Sequence, residues 1–258
     1  CSSDLQAQTK LLGVVKASAY GSESVAIAKK LADLGIDYLA VAYAAEGIKL
    51  RTSGIETPIL VLHPPLHELK DIINHCLEPN IYSLRVLLAF IKTAQESNCK
   101  GYPVHLKTNT GLNRLGLSER DFTKAIEGIR AQNAIKVKGL LSHLAASDEL
   151  SETDFTLGQI ETFKRHIIKF ETGLGSIPLK HLLNSSGILN FPEGQFQMAR
   201  SGISLYGYSN DPNTDKHLKP VATLKAIISQ IHQIKAGDWV GYNKGFVASQ
   251  PMRIATLS

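Results

Sequence analysis

The stretch LLGVVKASAYGSESVAIAKKLADL, residues 11–34, decides how the fold is read. It opens with an apolar run at residues 11–15, the length of a strand buried on both faces. Lys16 closes that run. Residues 22–34 then place Val25, Ala28, Leu31 and Ala32 on one helical face behind a serine able to cap it, which completes a βα unit. The unit recurs outward: a strand at 38–42, a helix at 45–53 stopped by Gly54, and a strand at 58–62. Further strands are expected near 80–82, 104–107, 137–143, 180–183 and 197–201, and the amphipathic residues 154–170 read as a barrel helix. Eight strands in this alternation predict a TIM-type (β/α)8 barrel; without the count, an open doubly wound sheet fits nearly as well.

Beyond Asp211, Pro212 and Asn213 the texture changes to long β-type segments, at 221–234 and 239–248, around the turn Ala236-Gly237-Asp238. The expected organisation is a barrel over residues 1–212 and the beginning of a β-rich second domain over 213–258. About forty residues are too few to bury a core alone, so this part is expected to be truncated and to lean on further chain or another subunit. The first residue is Cys1 rather than methionine, and residues 253–258 read as a strand that stops without a turn, so the chain is read as a fragment.

Composition narrows the function classes. The apolar fraction is 43% and the charged fraction 20%, as in ordinary soluble globular proteins, and no run of eighteen apolar residues could span a bilayer. The net charge of +5 comes from lysines and arginines scattered between acids, which argues against a nucleic-acid partner. Cys1, Cys76 and Cys99 form no C-x-x-C pair, so neither a zinc ribbon nor a disulfide framework is indicated and a reducing cytoplasm fits. His63, His67, His75 and Cys76 resemble metal ligands on paper, but Pro64-Pro65 breaks any helix that would align the first two; no metal is expected. Walker A, G-x-G-x-x-G and G-x-S-x-G motifs are absent.

In a parallel barrel, polar residues that abruptly end apolar runs lie where catalysis occurs. Lys16, followed by the small residues Ala17, Ser18 and Ala19, leaves room for a ligand. A lysine so placed is expected to be partly desolvated, with a lowered pKa, and able to attack a carbonyl or accept a proton. Alone it reads equally as a snorkelling lysine at a strand end. The segment Val14-Val15-Lys16-Ala17-Ser18-Ala19-Tyr20-Gly21, however, resembles the cofactor-lysine motif of the alanine racemases, which use pyridoxal 5'-phosphate (PLP), with serine where asparagine is usual. Residues 107–116, KTNTGLNRLG, resemble that family's second signature, with Asn109 in place of the commoner aspartate and Leu112 of methionine. Ser142-His143-Leu144-Ala145, Asn184-Ser185-Ser186 and residues 199–207, ARSGISLYG, follow in the family's order.

The resemblance implies a homodimeric racemase that interconverts L- and D-alanine and supplies D-alanine for peptidoglycan in a bacterial cytoplasm. It implies that Lys16 holds PLP covalently. Tyr20, Ser185 and the backbone amides of Gly202 and Ile203 then hold the phosphate, with Asn184 in the same cofactor-binding set. Arg200 faces the pyridine nitrogen, and a guanidinium does not easily give up a proton, so the ring stays a weak electron sink. His143 packs near the ring and meets Arg200; its plain alternative is a satisfied core histidine. Arg114 orients the substrate carboxylate or the cofactor's phenolic oxygen. Lys107 matches a position that is often carbamylated; an ordinary lysine salt bridge is as good a reading.

Racemisation needs an acid/base on each face of a planar intermediate. The family's second base is a tyrosine in a Gly-Tyr-Ala-Asp-Gly type motif that follows a strand resembling residues 253–258, so these 258 residues stop short of it and Tyr242 is not that base. Active members are head-to-tail dimers. Serine or another small amino acid as substrate, a non-catalytic PLP carrier, and a PLP barrel decarboxylase with an acid at the pyridine nitrogen remain the alternatives.

Overall fold

The computed structural model describes residues 4–258, so Cys1 lies outside the described residues. Eight parallel strands alternate with helices: β1 (Lys10–Val14), β2 (Tyr38–Val41), β3 (Ile59–Val61), β4 (Glu78–Ile81), β5 (Tyr102–Lys107), β6 (Ile135–Leu141), β7 (Leu179–His181) and β8 (Met198–Ser201). From β1 to β7 each strand pairs with the next, and β8 returns to pair in parallel with β1 through Lys10↔Met198 and Leu12↔Arg200. The seam between β7 and β8 is closed where Arg200 N donates to Leu183 O at 3.1 Å. This is the (β/α)8 barrel that the apolar runs predict, with strand limits displaced by one to a few residues from those read in the sequence.

Strand alternation divides the apolar side chains into two layers. Leu39, Val41, Ile59, Val61, Val104 and Leu140 belong to the large cluster that also contains the helix residues Phe90, Ile126 and Phe163, the layer between strands and helices. Leu12, Val14, Tyr38, Ala40, Leu60 and Met198 form a second cluster inside the barrel. The interior is not apolar throughout: Glu78, Asn80, His105, His181 and Arg200 are also buried. All belong to β4, β5, β7 and β8.

The first helix differs from expectation at its start. It runs Ser24–Asp33, and its cap is Glu23, whose carboxylate accepts from Val25 N at 3.1 Å and Ala26 N at 2.7 Å, rather than Ser22. Glu23 itself sits at φ +82°, in the turn that leads into the helix.

The chain divides into two compact units, Cys1–Pro220 and Val221–Ser258. Within the second, β9 (Ile228–Ile234) pairs antiparallel with β12 (Met252–Leu257), and β10 (Trp239–Val240) pairs antiparallel with β11 (Phe246–Val247). The segments expected at 221–234 and 239–248 are therefore shorter than their composition suggests. The second breaks into a hairpin because Gly241 at φ +79° and Asn243 at φ +54° turn the chain back. Among the described residues no helix is long and apolar enough to cross a membrane.

Candidate active site

The C-terminal ends of the strands surround a cavity of about 640 Å³. Every site residue read from the sequence lines it: Lys16 and Tyr20 after β1, Lys107 at the end of β5 and Arg114 beyond it, and His143 after β6. Asn184 and Ser185 follow β7, Arg200 lies on β8, and Gly202 and Ile203 follow it. Tyr43 and His63, after β2 and β3, also line the cavity. Tyr242 lies in the second unit with its side chain 98% exposed.

Lys16 is held by unusual backbone. Ala17, Ser18, Ala19 and Tyr20 all take left-handed helical values, φ 52° to 55°, before Gly21 at φ +88°. For L-residues this brings Cβ against the following carbonyl and costs about 1–2 kcal/mol per residue. The turn is over-determined by its neighbours: Gly21 N donates to Ala17 O at 3.0 Å, and Glu23 N to Ser18 O at 3.1 Å. Glu46 ties it to the next strand, one carboxylate oxygen accepting from Ala17 N at 2.7 Å and the other from Ala42 N at 2.6 Å. Sequence reading missed Glu46, which sits on a helix nearly thirty residues away and appears only as a solvated acid in that helix's first turn.

At the far side of the Lys16 turn, Tyr20, Ser185 and Gly202 converge. Gly202 N donates to Ser185 Oγ at 3.0 Å, and a Cβ added to Gly202 would lie 2.7 Å from Tyr20 Oη. Only a residue without a side chain lets the hydroxyl and the backbone amide come this close. Tyr20 packs against Tyr206 with ring centroids 4.7 Å apart, and Tyr206 Oη donates to Val14 O at 2.9 Å, fixing both rings to the end of β1. Asn184 spends its side-chain oxygen on capping: it accepts from Gly187 N at 2.9 Å and from Ser147 Oγ at 2.7 Å.

Arg200 is buried, and both terminal nitrogens of its guanidinium are engaged. One Nη donates to His181 O and approaches His181 Nδ1, both at 2.9 Å; the other donates to Ser142 O at 2.7 Å and Leu182 O at 2.9 Å, and lies 3.1 Å from His143 Nδ1. Among the described residues all these partners are carbonyls or imidazoles. Burial lowers the Arg200 pKa to about 10. His143 is pushed well below the usual histidine value by burial and then by the cations Arg200, Lys107, Arg114 and Lys16. It is therefore neutral at pH 7. Because Nδ1 faces a donor, its proton resides on Nε2.

Lys107 is 7% exposed and has no carboxylate partner among the described residues. Burial, with Arg200 and Arg114 beside it, lowers its pKa to about 8. The segment after it is built by Asn109, whose side-chain oxygen accepts from Gly111 N and Asn113 N, both at 3.1 Å. An asparagine thus performs the acceptor role for which an aspartate would serve. The loop closes where Leu117 N donates to Lys107 O at 2.8 Å, which leaves Arg114 at the rim. Among the described residues no group of three or more His, Cys, Asp or Glu side chains is placed to hold a metal ion.

Residues 2–210 match the family model described as alanine racemase, N-terminal domain, and residues 221–258 match the alanine racemase C-terminal domain model. The chain is 36% identical over 254 residues to an alanine racemase of Syntrophobacter fumaroxidans, covering 96% of this chain and 66% of that protein. It is 34% identical to an alanine racemase of Carboxydothermus hydrogenoformans, covering 98% of this chain and 69% of that one. The chain therefore spans about two thirds of the length of the curated relatives it matches. Solved structures agree: an alanine racemase of Clostridium difficile 630 superposes with a TM-score of 0.82 at 31% identity, over 99% of this chain and 68% of that one. One from Bartonella henselae, with covalently bound pyridoxal phosphate, gives a TM-score of 0.82 at 27% identity, over 100% of this chain and 70% of that one. The (β/α)8 barrel, the cavity at its C-terminal mouth and these matches together show that the chain belongs to the alanine racemase family.

Proposed function

We propose that the protein interconverts L- and D-alanine, with pyridoxal phosphate held in the barrel cavity. The observation that carries this reading is Arg200: the buried group at the cavity floor is a guanidinium surrounded by carbonyls and neutral imidazoles. A barrel decarboxylase of this cofactor class would place an acid there. The residues fit the cofactor at both ends. The cradle of Tyr20, Ser185 and the Gly202 amide suits a phosphate, since it offers hydroxyl and backbone donors with no side chain between them. When bound, pyridoxal phosphate withdraws electrons from the α-carbon of an attached amino acid and makes its proton labile.

Lys16 Nζ holds the cofactor and moves the α-proton on one face. Arg200 keeps its own protons at the ring nitrogen, which limits side reactions that need a stronger electron sink. Arg114 at the rim takes the substrate carboxylate or the phenolic oxygen through its two-pronged fork. Lys107 is read as carbamylated. A lysine without a carboxylate partner, whose amine is substantially unprotonated near pH 8, is able to add CO2, and the resulting anion answers the cations Lys16, Arg114 and Arg200.

The second face needs a base of its own, and the reading assigns it, by family resemblance, to a tyrosine of a partner subunit in a head-to-tail homodimer. The reading also places the enzyme in the cytoplasm, supplying D-alanine for peptidoglycan; family resemblance is the support for both. The test is conversion of L-alanine to D-alanine by the full-length protein with the cofactor, wild type and Lys16→Ala. Racemisation lost in the variant supports the reading; cofactor binding without racemisation of any small amino acid points to a carrier and contradicts it.

A further inference from the structure

The barrel interior holds an ordered chain of polar groups that crosses it from one mouth to the other. Arg200 Nη lies 2.9 Å from His181 Nδ1; His181 Nε2 lies 3.1 Å from His105 Nδ1; His105 Nε2 lies 2.9 Å from Glu78 Oε2. Glu78 Oε1 accepts from Lys138 Nζ at 2.7 Å, and Tyr38 Oη reaches Glu78 Oε2 at 3.4 Å. Both imidazoles are 0% exposed, while the Lys138 side chain is 36% exposed at the solvent end. Room is made for the His105 ring by Gly139 on β6, where a Cβ would overlap it.

The two ends set the direction of every proton in this chain. A guanidinium only donates, so His181 Nδ1 must accept and His181 carries its hydrogen on Nε2. That hydrogen needs an acceptor, so His105 Nδ1 accepts and His105 carries its hydrogen on Nε2, facing Glu78. An ionised carboxylate only accepts, and the sequence closes with no contact left donor to donor. Burial alone would raise the Glu78 pKa, but the hydrogen bonds from His105 and Lys138, with the charge of Lys138, outweigh it and hold the carboxyl below its ordinary value. His181 is held well below the usual histidine value by burial and then by the charge of Arg200.

We propose that Glu78, with Lys138 as its solvent-side partner, is a positioning residue for Arg200, acting through His105 and His181 from the opposite mouth of the barrel. The partners of the guanidinium are carbonyls and imidazoles, and the hydrogen-bond chain links them to the buried carboxylate of Glu78. The chain holds the His105 and His181 rings in one orientation, and His181 in turn aims Arg200. The consequence for catalysis rests on the reading of Arg200 as the group that meets the cofactor ring; the chain itself does not.

The test is long-range proton–nitrogen correlation of 15N-histidine-labelled protein without cofactor. Wild type is expected to show His105 and His181 both neutral with the hydrogen on Nε2. In Glu78→Gln one contact is forced into conflict: the amide NH2 must face either Lys138 or His105 Nε2–H. The tautomer of His105, the ring that faces Glu78, is then expected to become mixed, whereas Lys138→Met leaves it unchanged. If Glu78→Gln does not fold, wild type alone serves: a through-hydrogen-bond coupling between His181 Nε2 and His105 Nδ1 is expected. A hydrogen on Nδ1 of either ring in wild type, absence of that coupling, or an unaltered His105 in folded Glu78→Gln would overturn the proposal. In cofactor-loaded protein, turnover in Glu78→Gln is expected to fall about tenfold with KM little changed. Loss of that effect with the tautomer shift intact would contradict the reading of Arg200 and leave the chain standing.

Discussion

At the scale of single residues, Lys107 carries a measurable burden. Its pKa is lowered from 10.5 to about 8 in the folded state, so between those values the unfolded chain binds the extra proton and the folded chain does not. Stability therefore rises with pH across that window, and the penalty is fully present below pH 8. The shift corresponds to about 3 kcal/mol. In CO2-free buffer, denaturant unfolding of wild type is expected to gain stability from pH 8 to pH 10 relative to Lys107→Met. With bicarbonate present, carbamylation is expected to flatten that difference; an identical pH dependence of wild type and variant in CO2-free buffer would show that the amine is not buried as a cation. Lys16 is a contrasting case: its identity was legible in the sequence from the motif around it, but its setting was not. Four successive left-handed residues cannot be read from Ala17-Ser18-Ala19-Tyr20, because propensity assigns such conformations to glycine and asparagine, and only Glu46 and the packed strand end hold them.

At the scale of elements, the loop from Lys107 to Leu117 shows how one glycine permits a site. Gly116 sits at φ +142°, and a Cβ there would lie 2.6 Å from both Asn109 N and the Thr108 carbonyl carbon, which are backbone atoms unable to move aside. Gly116→Ala is expected to cost about 3 kcal/mol, combining backbone strain with overpacking, and to displace Arg114. Urea midpoints give the first effect; weaker cofactor or substrate binding gives the second, and a variant as stable as wild type would contradict the geometry. The strands themselves were legible because buried parallel strands read as apolar runs, and their limits slipped because such runs have no alternation to mark an end. The interior polar chain was not legible. Glu78, His105 and His181 each look like an isolated polar residue in an apolar strand, and only closure of the barrel brings four separate strands together. A polar residue facing the closed interior must find a partner, and that is the signal that could have exposed them.

At the scale of the whole molecule, the two units are unequal. Every residue lining the cavity lies within Cys1–Pro220, and of the buried apolar residues described only Ala248 belongs to Val221–Ser258. The barrel thus contains its own core. A chain ending at Pro220 is expected to fold with the helix content of the barrel and a urea midpoint close to that of all 258 residues, and to take up pyridoxal phosphate. Loss of folding would show that the second unit is required for the first. The central claim is that this barrel holds pyridoxal phosphate on Lys16, and the most direct measurement is covalent mapping. The cofactor-loaded protein is reduced with borohydride, digested, and its peptides are weighed. The account predicts a pyridoxyl-phosphate adduct on Lys16, absent in Lys16→Ala. An adduct on Lys107 or another lysine, or none at all in folded protein, would contradict it.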